Sequence, residues 1–180
     1  MKKLIIGGIV SGIILFVWQS LSWTALNIHG SQTQYTAAQT DILQALADAN
    51  LMEGQYFVPT LDPANPISNE EYYSRYVGKP WATINYHESM ENTMTMNMIR
   101  GLTADLFVAF LLCFVLLKNP SLNFGNVFLT CIAIGIISYI TIPYMNSIWF
   151  QGNSIPDLID AIVQWSLVGG FLGWLLPNKK

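Results

Sequence analysis

Four runs of apolar residues organise this chain, at 4–25, 98–117, 124–144 and 155–176, and each is nearly free of charge. At about 1.5 Å of rise per residue, a helix of roughly 20 such residues spans a bilayer's hydrocarbon core of about 30 Å. Polar residues are concentrated instead between the first two runs, at 26–97. The pattern predicts a membrane α-helical protein: four transmembrane helices with a small α+β extracytoplasmic domain between helices 1 and 2. The division is then 1–25 for the first helix, 26–97 for the domain, and 98–180 for helices 2–4.

Within 26–97 the periodicity changes from segment to segment. Ile42, Leu43, Leu46 and Leu51 recur at helical spacing within 36–52, and Gly54 follows as a stop. Gln55-Tyr-Phe-Val-Pro59 reads as a short strand ended by proline. Pro63 and Pro66 mark a turn-rich link, and Ser68-Asn-Glu-Glu71 offers a capping box for a helix to about Tyr76. Residues 81–87 alternate, with Trp81, Thr83, Asn85 and His87 on one face and Ala82, Ile84 and Tyr86 on the other. Two strands alone are marginal in water, so they need a further surface to pack on.

The first run is predicted to be an uncleaved helix. It continues through Leu21 and Trp23, and bulky residues surround its nearest small-x-small site, Ser20-Leu-Ser22. Trp18 and Trp23 read as interface anchors. Gly8 and Gly12 in this run, with Gly169 and Gly173 in the last, give faces that another helix can approach closely. The fourth run opens with Ser154-Ile-Pro-Asp157, read as a serine cap, a first-turn proline and an acid at the positive end of the helix dipole.

Charge then orients the predicted bundle. Lys2 and Lys3 precede the first run, Lys118 follows the second, and Lys179 and Lys180 end the chain. Four spans put all five on one side, which the positive-inside rule makes cytoplasmic, leaving 26–97 outside. Of the 180 residues, 52% are hydrophobic and 11% charged, against about 25% charged in ordinary soluble domains. The net charge of -3 gives no basic surface for nucleic acid. Cys113 and Cys131 both lie in apolar runs, so neither a disulfide framework nor a reactive thiol is implied.

The Trp18, Trp23 and His29 exit of the first run, the Gly54-Gln-Tyr-Phe-Val-Pro59 stretch, and the extended 81–87 segment leading into an apolar helix form a recognisable series. It resembles small bacterial multi-pass membrane proteins that are themselves uncharacterised. That resemblance implies a bacterial cytoplasmic (inner) membrane setting and supplies no catalytic residues.

Two constellations carry possible chemistry. Gln19, Arg100, Asp105, Tyr139, Asp160 and Gln164 all fall toward the outward ends of their helices. Ionisable groups at such depth are costly and usually face a bundle interior or wet cavity, paired with something. Arg100 is the cation in view. Five residues from Asp105, it is expected to reach an acid on a neighbouring helix, such as Asp160. The alternative is that these groups only join the helices and solvate their ends.

The second constellation is His87, Met90, Met94, Met96 and Met98. Thioethers suit Cu(I), and a helix would align Met90, Met94 and Met98 while a strand would align Met94, Met96 and Met98. Methionine is equally a pliable apolar filler. No nucleophile elbow, phosphate loop or Cys/His metal spacing occurs.

The expected function is therefore non-enzymatic and without a cofactor. It is an accessory, assembly or interaction subunit of an envelope complex, whose partners are the lipid bilayer and another membrane protein or a second copy. Metal handling by the methionines, or small-ligand sensing in an outward-facing polar pocket, stands as the alternative.

Overall fold

The structure is a computed structural model that describes residues 1–177. Its elements in chain order begin with α1 (Lys2–Trp23), a 3-10 turn (Ile28–Ser31), α2 (Gln39–Asp48), β1 (Gly54–Val58), α3 (Asn69–Tyr76) and β2 (Ala82–Tyr86). Then come α4 (Met94–Leu116), α5 (Phe124–Tyr139), a π turn (Ile140–Tyr144), α6 (Met145–Phe150) and α7 (Ile155–Leu175). Four helical elements are long and apolar enough to cross a membrane: Lys2–Trp23, Met94–Leu116, Phe124–Phe150 and Ile155–Leu175. The third is longer than its apolar pattern suggested. Pro143 lacks an N–H and would crowd the carbonyl four residues back, and the wider π turn accommodates it without ending the helix.

The chain forms two compact units, one of Met1–Gln34 with Thr93 onward, the other Tyr35–Asn92. Residues 26–34, expected with the loop domain, thus cluster with the bundle. Lys179 and Lys180, used above to orient the chain, lie outside the described residues.

In the first unit α1 and α7 form a central seam, with α4 packed on α1 and α5 packed on α7. One buried cluster joins all four helices through Leu15, Leu112, Cys113, Val127, Trp165 and Leu172. Large apolar residues also face outward, including Ile5, Ile9, Ile13 and Val17 on α1 and Phe107, Leu111 and Phe114 on α4. The seam between α1 and α4 is set by small residues. A Cβ on Gly8 would lie 2.4 Å from the Phe110 ring, and one on Gly12 would lie 2.8 Å from the Leu106 Cα. Gly169 meets Phe128 and Cys131 in the same way, and Gly173 meets Phe124. All four glycines lie at contacts inside the bundle, which backbones can approach only where side chains are absent.

In the second unit β1 and β2 pair antiparallel, with Tyr56 opposite Ile84 and Phe57 opposite Thr83. The Phe57 and Trp81 rings lie 5.4 Å apart. The Ser68 hydroxyl accepts the Glu71 amide at the start of α3, the serine half of the expected capping box, while the Glu71 carboxylate pairs with Arg75. Helix α2 ends earlier than Gly54 would place it, because Asn50 takes a left-handed conformation at φ 50°. No residue of this unit is fully buried, and Ile42 and Leu43 on α2 are 49% and 63% exposed.

Candidate functional site

The densest polar cluster centres on Asp160, one turn and a half into α7 and 8% exposed. Its Oδ1 accepts from the Trp18 indole at 3.0 Å and from the Ser22 hydroxyl at 2.6 Å, both on α1. Its Oδ2 lies 2.8 Å from His29 Nε2. His29 is carried there by the sharp exit of α1, where Asn27 adopts φ 47° and starts the 3-10 turn. Trp23, the last residue of α1, stacks on the imidazole with ring centroids 4.0 Å apart and planes within 5°.

Gln32, one turn beyond His29, completes the cluster. Its amide nitrogen donates to the Asp157 carboxylate at 2.6 Å and to the Asn153 carbonyl at 2.9 Å. Both partners are acceptors, which fixes the amide orientation and leaves Gln32 Oε1 as the acceptor 2.7 Å from His29 Nδ1. Nδ1 therefore carries a proton. Nε2 then faces the carboxylate, so the His29–Asp160 pair shares one further proton. Burial alone lowers the His29 pKa, but the hydrogen bonds to Asp160 and Gln32 and the charges of Asp160 and Asp157 outweigh it. The net shift is upward.

Serine, aspartate and histidine here do not make a catalytic triad. Asp160 lies between Ser22 and His29, which approach opposite oxygens, so His29 is not placed to take the Ser22 proton.

Beside this cluster lies an open cavity of about 980 Å³ among α1, α4, α5 and α7. Gln19, Tyr139, Asp157, Asp160 and Gln164 supply its polar wall, and Phe16, Met98, Ile142 and Pro143 its apolar one. The π turn puts Ile142 and Pro143 at this wall. The Tyr139 hydroxyl meets Ser154 Oγ at 3.1 Å, and Ser154 in turn donates to Ser147, so the chain from α5 to α7 is tied across the connecting loop. Ser154 holds the N-cap position of α7, but its side chain caps no amide; the Asn153 side-chain oxygen, one residue earlier, accepts the Ile155 amide.

The structure thus brings Gln19, Tyr139, Asp160 and Gln164 to one cavity, and corrects the roles of the other two expected members. Asp105, 7% exposed on α4, accepts a single hydrogen bond, from Gln19 at 3.2 Å, and its second oxygen is buried without a partner. Arg100 is exposed and makes no ion pair among the described residues. The basic partner of Asp160 is His29, held by a turn that hydrogen-bonds back to the start of α7.

Comparison with family models, curated proteins and solved structures finds no match for this chain. Its site is therefore read from geometry alone.

The methionine constellation is not assembled as a helix or strand would have aligned it. Met90 precedes α4, which starts at Met94. On that helix Met94 and Met98 share a face while Met96 points elsewhere. Met94, Met96 and Met98 are all largely exposed, as is His87, whose nearest acid is Glu53 at 4.0 Å. Among the described residues no three His, Cys, Asp or Glu side chains group as metal ligands.

The sequence reading missed Trp18, Ser22, His29, Gln32 and Asp157 as one network. A signal was present: His29 and Gln32 are three residues apart, as are Asp157 and Asp160. On helical turns each pair shares a face, and the two pairs are complementary in donors and acceptors.

Proposed function

We propose that this chain is a multi-pass protein of the bacterial cytoplasmic membrane that binds a small molecule in its bundle, without catalysing a reaction. The supporting observation is the cavity of about 980 Å³, whose lining sets Gln19, Tyr139, Asp157, Asp160 and Gln164 beside Phe16, Met98, Ile142 and Pro143. Such a cavity is of the size and mixed lining that small-molecule sites use. The outward-facing stripes of isoleucine, leucine and phenylalanine suit a lipid environment, since exposed apolar surface on this scale is unusual in a soluble monomer.

The accessory-subunit reading drew on the glycine faces as docking surfaces. Those glycines are occupied by partners within the chain, so they lend it no support. In the proposed orientation the lysine-bearing ends are cytoplasmic, and residues 26–97 and the cavity mouth face outward.

Two measurements test this reading. Gly101 lines the cavity, and a Cβ there would meet only the Phe16 ring, at 3.9 Å, so Gly101→Trp fills the space without striking backbone. Small molecules extracted from purified wild type and identified by mass spectrometry should be absent from that variant. Identical profiles would remove the cavity as their site. For orientation, Ser31→Cys should react with a membrane-impermeant maleimide in intact cells, and Asn119→Cys only after permeabilisation. The reverse pattern overturns it.

A further inference from the structure

The hydroxyl donors and both imidazole nitrogens around the cavity are engaged within the chain, and this bears on its ligand. Ser20 donates to the Phe16 carbonyl and Ser138 to the Gly135 carbonyl, each at 2.8 Å. Tyr139 meets Ser154, whose own proton goes to Ser147, so the phenol is the donor of that pair. Gln19 donates to Asp105, Asn97 donates to Thr93, and both nitrogens of His29 are engaged. What these hydroxyls leave is oxygen lone pairs.

Charge points the same way. His29 and Asp160 compensate each other. Asp157, which also lines the cavity, receives one donor, from Gln32, and has no basic partner among the described residues. Arg100 is not among the lining residues. Carboxylate and hydroxyl oxygens bind N–H donors most strongly when the donor is charged, so a ligand that brings N–H groups and positive charge gains most here. Phe16, Trp23 and Tyr139 add aromatic surface, which favours a cation over a neutral group.

We propose that the cavity takes an organic ammonium ion, a protonated primary or secondary amine on an apolar body, with Asp157 as its counter-charge. This rests on the cavity being a binding site at all. Anionic ligands are disfavoured, because the Asp157 carboxylate lines the cavity and no lysine or arginine does.

The experiment is calorimetric titration of the detergent-purified full chain with three matched probes: 2-phenylethylamine, its N,N,N-trimethyl derivative and 2-phenylethanol. The amine should bind about tenfold or more tightly than either analogue, since one lacks N–H donors and the other lacks charge. Asp157→Asn keeps an oxygen for Gln32 and should weaken the amine by a similar factor while leaving the alcohol unchanged. Gly101→Trp, with its melting temperature checked against wild type, should remove all three. Equal affinity for the three probes, lost in Gly101→Trp, would overturn the ammonium assignment and leave the cavity as a binding site. No binding by wild type, or binding that survives Gly101→Trp, would overturn both.

Discussion

The two ends of the bundle solve the same packing problem in different ways. At the Lys3 end, helices meet through glycines so closely that added Cβ atoms would lie 2.4–2.9 Å from Phe110, Leu106, Cys113 and Phe124. A polar feature there is the Lys3 ammonium, which donates to the Leu176 and Pro177 carbonyls beyond the last turn of α7. At the His29 end, a cavity of about 980 Å³ lies among the helices, which are joined by hydrogen bonds reaching across more than 120 residues of chain. Close approach is not confined to one end, since a Cβ on Gly135 would lie 2.4 Å from Trp165, which shares α7 with Asp160. Around Asp160 itself, polar side chains leave space among the helices, and that space is what a ligand can use.

The comparison breaks most visibly at Asp160. Asp160→Ala strands the Trp18 indole, the Ser22 hydroxyl and His29 Nε2 together, and removing one partner of a buried charged pair costs about 3–5 kcal/mol. Asp160→Asn should be far milder. Its oxygen still accepts from Trp18 and Ser22, and its amide can donate to a neutral His29 Nε2. Thermal unfolding in mild detergent, followed by circular dichroism, distinguishes the two. Equal losses would mean the negative charge itself, not the hydrogen-bond geometry, carries the network.

At the opposite end the sensitive feature is volume. Gly12→Leu drives side-chain atoms into the Leu106 backbone, and overpacking of this kind costs about 1–3 kcal/mol, with little chance of relief by rotamer change. Gly101→Leu makes the same chemical change facing the cavity and should shift stability by less than about 1 kcal/mol, helped by leucine's better helix propensity. The same unfolding assay compares them. A Gly101→Leu loss as large as that of Gly12→Leu would show the cavity to be closed in solution.

These contrasts also explain what the sequence made legible. The four apolar helices and the Ser68 cap on the Glu71 amide follow from local periodicity and short-range donor–acceptor spacing, and both were readable. Depth in a helix is likewise a local property, and it sets Gln19, Tyr139, Asp160 and Gln164 toward one end of their helices. Which partner each acid takes is not local. Asp160 is 131 residues from His29, and nothing in spacing ranked histidine above Arg100. Trp18 was read as an anchor because an amphipathic ring fits a membrane interface or a buried acceptor equally well. The side-chain cap of α7 shifted from Ser154 to Asn153 for a similar reason. Both residues are good caps, and the pull of Tyr139 and Ser147 on Ser154 is tertiary.

Titration of His29 sharpens the comparison from the polar end. Asp160 and Asp157 face it from α7, Gln32 from its own turn and Trp23 from α1. Its folded pKa is raised, so its contribution to stability is complete below the unfolded value of about 6.5 and is lost as pH rises through the folded value. Melting temperature in the wild type should therefore fall from mildly acidic to alkaline pH relative to Asp160→Asn, in which the Asp160 share of that linkage is removed. Parallel pH profiles for the two proteins would assign the dependence to other groups.

The smallest effect is expected at Asp105, and its smallness is informative. Asp105 and Asp160 are both nearly buried acids near the same end of the bundle, yet the chain gives one a single donor and the other three partners. A carboxylate whose second oxygen has no partner contributes little to the fold, so Asp105→Asn, which keeps the contact with Gln19, should change stability by no more than about 1 kcal/mol. A loss comparable to Asp160→Ala would show that the unpartnered oxygen is engaged in the folded protein. Unchanged stability together with weakened 2-phenylethylamine binding would instead place Asp105, through Gln19, behind the cavity wall as a positioning residue. The two acids would then divide the work of this end, one holding the helices and the other orienting a group that faces the ligand.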